Sequence, residues 1–541
     1  MTSHSQLLFR DEARAKLLKG ATVLADAVRP TLGPESHSVL LEQRFGSPIV
    51  CDDGVTIAKR VQLADPEENL GATAIRDAAT ATGDQVGDGT TTAMLLAHAV
   101  LTEGLRNVVA GTSGAGIRRG LEQGLAVAID GLTSIARPVK DTRDTAHVAT
   151  VSAHGDAAIG ALVAEAVEMV GPDGVVDVQD ARSTETSLES VEGMQFDRGF
   201  LSPYFVTDPD QMRVELDDPM ILLVERKLSS MAPLLPLLDA VLQQNRPLCV
   251  IAETVEGEAL TTMVVNKVRG VLNSVAVKAP GFGERRKATL GDIAVITGGR
   301  VLSDDLGDKL EDIDLDDLGS ARRVVVDKDS TTIIGGAGAS DVVEARKKEI
   351  RLQIDAATSD WDREKLDERL AQLSGGVAII HVGAVSEVEL ARRKEVFDDA
   401  INSTKAAMAE GIVPGGGAAL LRLQPALAAG ALQAEGSERI GIQVLSHALE
   451  EPCRQLARNS GLDEGVVVER IRNESGFFGL DARTREYGDL DERGIIDAAK
   501  VLRVALSQAV SVSGTLLLTE VTLTDIDDTP PGPMPSMADM M

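Results

Sequence analysis

Aromatic side chains are scarce in this chain, where they make up 2% of 541 residues and include a single tryptophan. The core must therefore rest on aliphatic residues, and binding of nucleic acid by base stacking is disfavoured. Cysteine is also rare, and Cys51, Cys249 and Cys453 lie far apart with no CxxC pair. This spacing argues against a zinc site and supports no disulfide framework.

Long apolar runs and an excess of basic charge are missing as well. No stretch of about 20 uncharged apolar residues occurs, which predicts that nothing spans a membrane, and the N-terminal segment lacks the apolar run of a signal peptide. Acidic residues outnumber basic ones by 84 to 54, for a formal net charge of −30. Such a charge repels nucleic acid and anionic membranes. We therefore expect a cytoplasmic protein with neither as a partner.

The sequence changes texture along its length, and 541 residues would fill roughly three domains. Helical, alanine-rich patterns fill about the first 134 residues and return after residue 385. From about residue 192, short apolar runs alternate with helical stretches, which is typical of an α/β domain. These runs are 221–224, 249–252 and 275–277. Helical sequence at both ends around an α/β insertion predicts a discontinuous domain.

Two smaller features are also predicted. Residues 37–51 predict a hairpin whose turn includes Phe45, Gly46 and Ser47. The last residues, rich in proline and methionine, predict a disordered tail.

The most informative segment is 86–92, VGDGTTT, which precedes a strong helical pattern. Its glycines allow close approach of the backbone to an anion, and the threonines fall on a first helical turn, which favours phosphate. Asp88 adds a hard oxygen ligand of the kind that Mg²⁺ prefers. An ordinary helix cap with threonines explains the segment equally well when it is taken alone. No GxxxxGK[ST] pattern is present, so a P-loop is not supported.

Other glycine-rich turns occur at 31–34, 52–54 and 414–417, and each is weak evidence by itself. Asp399 falls on a predicted helix, where a carboxylate is more often a solvated surface residue. Together, however, these segments resemble the group I (GroEL-type) chaperonins, in order, from about residue 9 to about residue 525. The motifs that carry the resemblance include TLGP, DDGVTIAKR, GDGTTTA, EGMQFDRGFLSPYFVTDP, IAETVEGEAL, VKAPGFGERRKATLGDIAVITGG, TSDWDREKLDERLAQLSGGVAII and EGIVPGGGAALLR.

The resemblance implies an α+β multi-domain subunit. A mostly helical equatorial domain would comprise residues 1–134 and 410–525, and a small intermediate domain residues 135–191 and 378–409. An α/β apical domain would comprise residues 192–377, and residues 526–541 would be a disordered tail. Family members form homo-oligomeric rings of seven subunits, usually two rings back to back.

The resemblance also implies an ATPase that uses ATP and Mg²⁺, with K⁺ as a further candidate. Asp399 matches the catalytic carboxylate that orients the attacking water, and Asp53 matches a second carboxylate near that water. Asp88 would bind the metal. The residues expected to bind the nucleotide are Thr31, Leu32, Gly33, Pro34, Asp88, Gly89, Thr90, Thr91, Thr92, Gly416, Asp481 and Asp497.

The implied function is ATP-dependent folding of non-native polypeptides, which bind an apolar groove in the apical domain. A co-chaperonin lid of the GroES type would compete for the same groove and enclose the client. The matching positions are Phe200, Tyr204, Phe205, Leu235, Leu238, Leu260, Val264 and Val265. Without the resemblance, the leucines and valines would be assigned to a core, because buried aliphatic residues are the rule.

The sequence departs from the family pattern near the nucleotide. The usual TLGPKGRNV reads TLGPESHSV here, so Glu35 replaces a lysine, and Asp52 stands where a lysine normally precedes Asp-Gly. Asp481 stands where an asparagine usually contacts the base. These acids leave open an alternative, a holdase or specialised assembly chaperone with impaired ATPase. An unrelated metabolic enzyme lacks support, since no catalytic triad, metal cluster or dinucleotide fingerprint is present.

Overall fold

The computed structural model describes residues 4–42, 48–171, 174–181, 183–209, 211–303, 308–357, 359–374 and 376–526. The chain divides into two compact units. The terminal unit comprises Met1–Ala164 and Glu395–Met541, and the central unit comprises Glu165–Lys394. The hairpin turn at 45–47 and the predicted tail beyond Ile526 lie outside the described residues.

The helices are numbered in chain order. They are α1 Arg10–Val28, α2 Gly54–Arg60, α3 Pro66–Val86, α4 Thr90–Val109, α5 Gly114–Ile135, α6 Thr142–Ser152, α7 Ala157–Val170, α8 Leu235–Gln244, α9 Gly257–Val268, α10 Glu284–Thr297, α11 Ser340–Ala356, α12 Asp360–Ser374, α13 Glu387–Glu410, α14 Ala418–Arg422, α15 Gln424–Gln433, α16 Gly436–Ala448, α17 Glu451–Asn459, α18 Glu464–Arg472 and α19 Ala499–Leu516.

The strands follow the same order. They are β1 His4–Phe9, β2 Val39–Leu41, β3 Ile49–Cys51, β4 Val175–Asp180, β5 Ser187–Val191, β6 Gly193–Phe196, β7 Val214–Asp217, β8 Met220–Leu228, β9 Leu248–Val255, β10 Ser274–Lys278, β11 Val301–Leu302, β12 Gly319–Val326, β13 Thr331–Gly336, β14 Val377–Val382, β15 Ile412–Pro414, β16 Phe478–Asp481, β17 Glu486–Asp489, β18 Ile496–Ala498 and β19 Val521–Ile526.

Small residues let the helices of the terminal unit pack closely. A Cβ added to Gly20 of α1 would lie 1.6 Å from the carbonyl oxygen of Glu68 in α3, and one added to Gly71 would lie 2.0 Å from that of Leu17. Around these contacts the core is aliphatic, as the scarcity of aromatic residues predicted. Its fully buried members include Leu24, Ile75, Leu96 and Leu506.

The two ends of the chain meet in the terminal unit. Strands β1 and β19 pair antiparallel, from His4 opposite Ile526 to Phe9 opposite Val521. The predicted hairpin is confirmed by pairing of β2 with β3, in which Val39 lies opposite Cys51. The terminal unit is thus discontinuous in sequence, as the helical texture at both ends indicated.

The central unit is built on an eight-stranded sheet. Strands β8, β9 and β10 are parallel neighbours, and they contain the three apolar runs that the sequence marked as buried strands. Strands β12, β13 and β6 continue the sheet with antiparallel pairings. Helices α8 and α9 connect β8 to β9 and β9 to β10. Because parallel crossovers are right-handed and the strand order runs in one direction, both helices cover the same face of the sheet.

A second sheet of the central unit has three strands, in the order β4, β14, β5. The predicted strand at 377–380 is its middle strand, parallel to β4 and antiparallel to β5. Among the described helices, none combines the length and the apolar character needed to cross a bilayer. The three cysteines are buried and unbridged.

Candidate functional site

The loop between α3 and α4 is shaped by two glycines. Gly87 ends α3 with φ 69°, and Gly89 precedes α4 with φ 77°, both in the left-handed region that favours glycine. No side chain caps α4. No side chain therefore occupies the first-turn amide groups of α4, which is the arrangement that an anion at a helix start requires.

Asp88, between these glycines, is held by two serines from distant parts of the chain. The hydroxyl of Ser403 in α13 donates to Oδ2 of Asp88 over 2.5 Å. The hydroxyl of Ser152, at the end of α6, donates to the same oxygen, and the two hydroxyl oxygens are 2.7 Å apart. Sequence reasoning missed both serines.

The start of α2 packs against the start of α4. Asp53 is the N-cap of α2, and its Oδ2 accepts a hydrogen bond of 2.6 Å from the backbone amide of Thr56. A Cβ added to Gly54 would lie only 2.2 Å from Oγ1 of Thr91. The predicted carboxylate Asp53 thus begins a helix that touches the first turn of α4.

Helix α13 contributes a polar face with residues at helical spacing, namely Glu395, Asp399, Asn402 and Ser403. Burial raises the pKa of Asp399 well above its usual range, and the charges of Asp88, Asp53 and Glu395 raise it further. Burial, followed by the charge of Asp53, raises the pKa of Glu395 to about 7. These carboxyl groups therefore lie close enough to oppose one another's ionisation.

Asp497 belongs to β18, where it lies opposite Val413 of β15. Burial and the charge of Asp88 raise its pKa to about 7. A Cβ added to Gly415 would lie 3.2 Å from Oδ1 of Asp497, so the glycine turn before α14 borders this carboxyl group. Gly416, in the same turn, has φ 62°.

The Thr31–Pro34 turn is held by hydrogen bonds to α1 and α17. The hydroxyl of Thr31 donates to the carbonyl oxygen of Val28 over 2.9 Å. Asn459 of α17 donates its side-chain amide to the carbonyl oxygen of Leu32 over 2.8 Å. A short 3₁₀ turn, Arg29–Thr31, nevertheless lies beside α4.

Asp481, predicted to contact the base, is engaged in its own hairpin turn. Its Oδ1 accepts from the backbone amides of Arg483 and Thr484 over 3.0 and 3.3 Å, and Oδ2 lies 3.6 Å from Nη1 of Arg493. The structure therefore groups Asp53, Asp88, Thr91, Asp399 and Asp497 directly, while Asp481 bonds within and beside its hairpin.

The eight apolar positions predicted to bind clients differ in exposure. Tyr204, Leu235 and Val265 are 69%, 52% and 38% exposed, while Phe200, Leu260 and Val264 are half-buried. Phe205 and Leu238, however, are 0% and 7% exposed and belong to the core of the central unit. The expectation that these two present their side chains at a surface is wrong, because both pack inward among the aliphatic residues beneath α8 and α9.

The same two helices expose apolar residues that sequence reasoning missed. Leu242 of α8 and Val268 of α9 are 37% and 67% exposed. Each follows a predicted position by helical spacing, since Leu242 lies seven residues after Leu235 and Val268 lies four after Val264. That spacing is the signal that would have identified them.

Comparison with known sequences shows which family the chain belongs to. A sequence model of the TCP-1/cpn60 chaperonin family matches residues 24–526, and the chain belongs to this family. Chaperonin GroEL 5 of Bradyrhizobium diazoefficiens is 55% identical over 526 residues, which cover 97% of each chain. The resemblance to group I chaperonins is thereby confirmed, and with it the function of an ATP-dependent molecular chaperone.

Proposed function

We propose that the terminal unit binds and hydrolyses ATP at the Gly87–Gly89 loop, and that this cycle controls capture of non-native polypeptides by the central unit. The observation that most supports hydrolysis is the position of Asp399. Asp399 is half-buried, and the charges of Asp88 and Asp53 both raise its pKa, so three carboxyl groups from three distant segments converge beside an uncapped helix start.

The pocket suits a phosphate bound together with a cation. The open amides at the start of α4 favour the phosphate, whereas the facing carboxylates need positive charge to remain ionised together. Among the described residues, no three His, Cys, Asp or Glu side chains are arranged to hold a metal. Mg²⁺ would therefore rest on Asp88 and the phosphates, as it commonly does, and would neutralise charge on the phosphoryl oxygens. K⁺ is a further candidate cation.

The chain's own residues then act mainly by positioning. Asp399 and Asp53 would orient the attacking water, and the serines on Asp88 would fix the direction of its carboxylate. Gly416 and Asp497 would border the ribose, and Thr31, Leu32, Gly33 and Pro34 would approach the nucleoside and phosphates. Asp481 would reach the base only after giving up bonds within its hairpin turn.

Capture would use the exposed apolar side chains of α8, of α9 and of the 3₁₀ turn Pro203–Phe205. Exposed apolar area of this kind marks a binding surface, and a GroES-type co-chaperonin lid would compete for it. The most exposed of the predicted client-binding residues are Tyr204, Leu235 and Val265. We further propose that the subunit has the equatorial, intermediate and apical domains that the resemblance implies, and that it forms homo-oligomeric seven-subunit rings, two per particle.

Steady-state phosphate release by the purified protein, with Asp399→Ala beside it, tests the proposal. We expect the variant to bind ATP with nearly parental affinity but to turn over about 100-fold more slowly, because the carboxylate acts on the water. Asp84→Asn, an exposed residue of α3, is the control. Background release by the parent would instead favour a holdase, and loss of ATP affinity without loss of turnover would refute the role of Asp399.

A further inference from the structure

The polar face of α13 extends one helical turn beyond Asp399. Asn402 approaches the loop before α4, since a Cβ on Gly87 would lie 2.2 Å from its side-chain nitrogen, and Ser403 bonds Asp88. Glu395 precedes Asp399 by four residues and so lies on the same side of the helix. Neither the family resemblance nor the sequence patterns assigned a role to Glu395.

Glu395 is joined to Asp53 through a single residue. The backbone amide of Thr56 donates to Oδ2 of Asp53 over 2.6 Å, and the hydroxyl of the same threonine donates to Oε1 of Glu395 over 3.3 Å. Thr56 therefore links the N-cap of α2 to α13. The hydroxyl–carboxylate bond is the part of this link that depends on α13 lying against α2.

An ordinary packing contact would not explain the choice of side chain. Glu395 is half-buried, and the charged groups that most raise its pKa, namely Asp53, Asp52 and Asp398, are all carboxylates. Burying an acid among acids opposes folding, so a carboxyl group at this position carries a cost in stability. Unfavourable placement of this kind is concentrated at functional sites.

We propose that Glu395 is a positioning residue for hydrolysis, which through Thr56 fixes Asp53 opposite Asp399 when α13 lies against α2. Asp53 and Asp399 belong to different helices, so their separation depends on how those helices are held together. The hydrogen bond between Thr56 and Glu395 joins α2 to α13 beside the carboxyl groups of Asp53 and Asp399. This role for Glu395 rests on the proposed ATPase.

The test compares turnover with ATP affinity in four variants. Glu395→Ala and Thr56→Val each remove the link, and we expect each to lower kcat about 10- to 100-fold while the ATP dissociation constant changes less than about 3-fold. Glu395→Gln and Thr56→Ser keep an acceptor and a hydroxyl, and each should recover most of the loss. Glu387→Ala, at the exposed first residue of the same helix, is the matched control.

A double variant, Thr56→Val with Glu395→Ala, decides whether the two residues act together. We expect it to be no slower than the slower single variant, because one link is lost in all three. Parental kcat in Glu395→Ala, or fully additive losses in the double variant, would overturn the proposal. If Glu395→Ala fails to fold, Thr56→Val against Thr56→Ser gives the same decision. Failure of the ATPase itself would appear separately, as background phosphate release by the parent protein.

Discussion

Oγ of Ser403 lies 2.5 Å from Oδ2 of Asp88, although the two residues are 315 positions apart in the chain. Ser403 is 3% exposed, whereas Asp88 is half-buried, so the bond is partly shielded from water. Helix α13 is thereby joined to the loop that precedes α4, at the carboxylate that we propose binds the metal. Hydrogen bonds from outside the ligand set commonly orient a metal-binding carboxylate.

Ser403→Ala should therefore weaken Mg²⁺ binding more than it weakens the fold. We expect the Mg²⁺ concentration for half-maximal phosphate release to rise about 10-fold. Ser507→Ala is the control, because Ser507 makes only an ordinary intrahelical bond to the carbonyl oxygen of Arg503. An unchanged Mg²⁺ requirement, even when Ser152→Ala is added, would show that the serines do not orient Asp88.

The buried carboxyl groups predict a dependence of stability on pH. Asp497 has a pKa of about 7 in the folded chain, against 3.8 ordinarily. Between those values the folded state binds more protons than the unfolded state, so the free energy of unfolding falls as pH rises, and the fall ends near pH 7. Below about pH 3.8 both states are protonated, and the contribution of Asp497 is then fully present.

Urea unfolding at pH 5 and pH 8, in chelator and at one protomer concentration, measures this effect. Asp497→Asn should reduce the loss of stability between the two pH values, and Asp84→Asn should not. The other titrating groups contribute equally to the pH dependence of the parent and of each variant, so their contributions cancel in the comparison. A parental pH dependence in Asp497→Asn would mean that the carboxyl group is ionised in the folded chain.

Sequence patterns predicted the local features of this pocket but missed the side chains that join its parts. The glycine loop at 87–89 and the parallel strands at 221–224 and 249–252 follow from turn chemistry and from apolar runs. Ser152 and Thr56 became visible only when distant segments met, because a lone polar residue on a helix fits many environments. Spacing from Asp399 alone would have identified Glu395 and Ser403, but not Ser152.

The same limit applies to the proposed client surface. Apolar residues at helical spacing mark a helix face, yet they do not say which members of the face are covered. Leu235 and Leu238 both continue the apolar pattern of α8, and one is 52% exposed while the other is 7% exposed. That difference comes from the sheet beneath the helix, whose position the sequence of the helix does not contain.

This difference predicts two outcomes for apparently similar substitutions. Leu235→Ser and Val265→Ser should weaken capture of an unfolded polypeptide, each by on the order of 1 kcal/mol, and leave phosphate release intact. Val342→Ser is the matched control, since Val342 of α11 is 48% exposed in the same unit. Capture at parental affinity by the Leu235 and Val265 variants would show that clients bind at a different surface.

Leu238→Ser, by contrast, should destabilise the central unit. Deleting a buried leucine side chain typically costs about 2–5 kcal/mol, and the serine hydroxyl would be buried without an assured partner. Thermal unfolding that leaves the central unit as stable as the parent would show that Leu238 becomes exposed in solution. Weakened capture by this variant alone would not identify a client contact.

The final prediction concerns the acids that replace family lysines. Asp52 is half-buried, and its charge contributes to the raised pKa of Glu395, so it lies within electrostatic reach of the pocket. Glu35 is exposed in the turn after Pro34, where solvent screens its charge.

We therefore expect Asp52→Lys to account for most of the effect of the double variant, and Glu35→Lys for little. The change from acid to lysine makes the local charge more positive by two units beside the proposed triphosphate site, which should lower the KM for ATP and the requirement for K⁺. The gain should be largest at low ionic strength, where screening is least, and phosphate release across a salt series measures it. Equal KM values for Asp52→Lys and the parent at every ionic strength would mean that the Asp52 carboxylate does not act on bound nucleotide, even though it acts on Glu395.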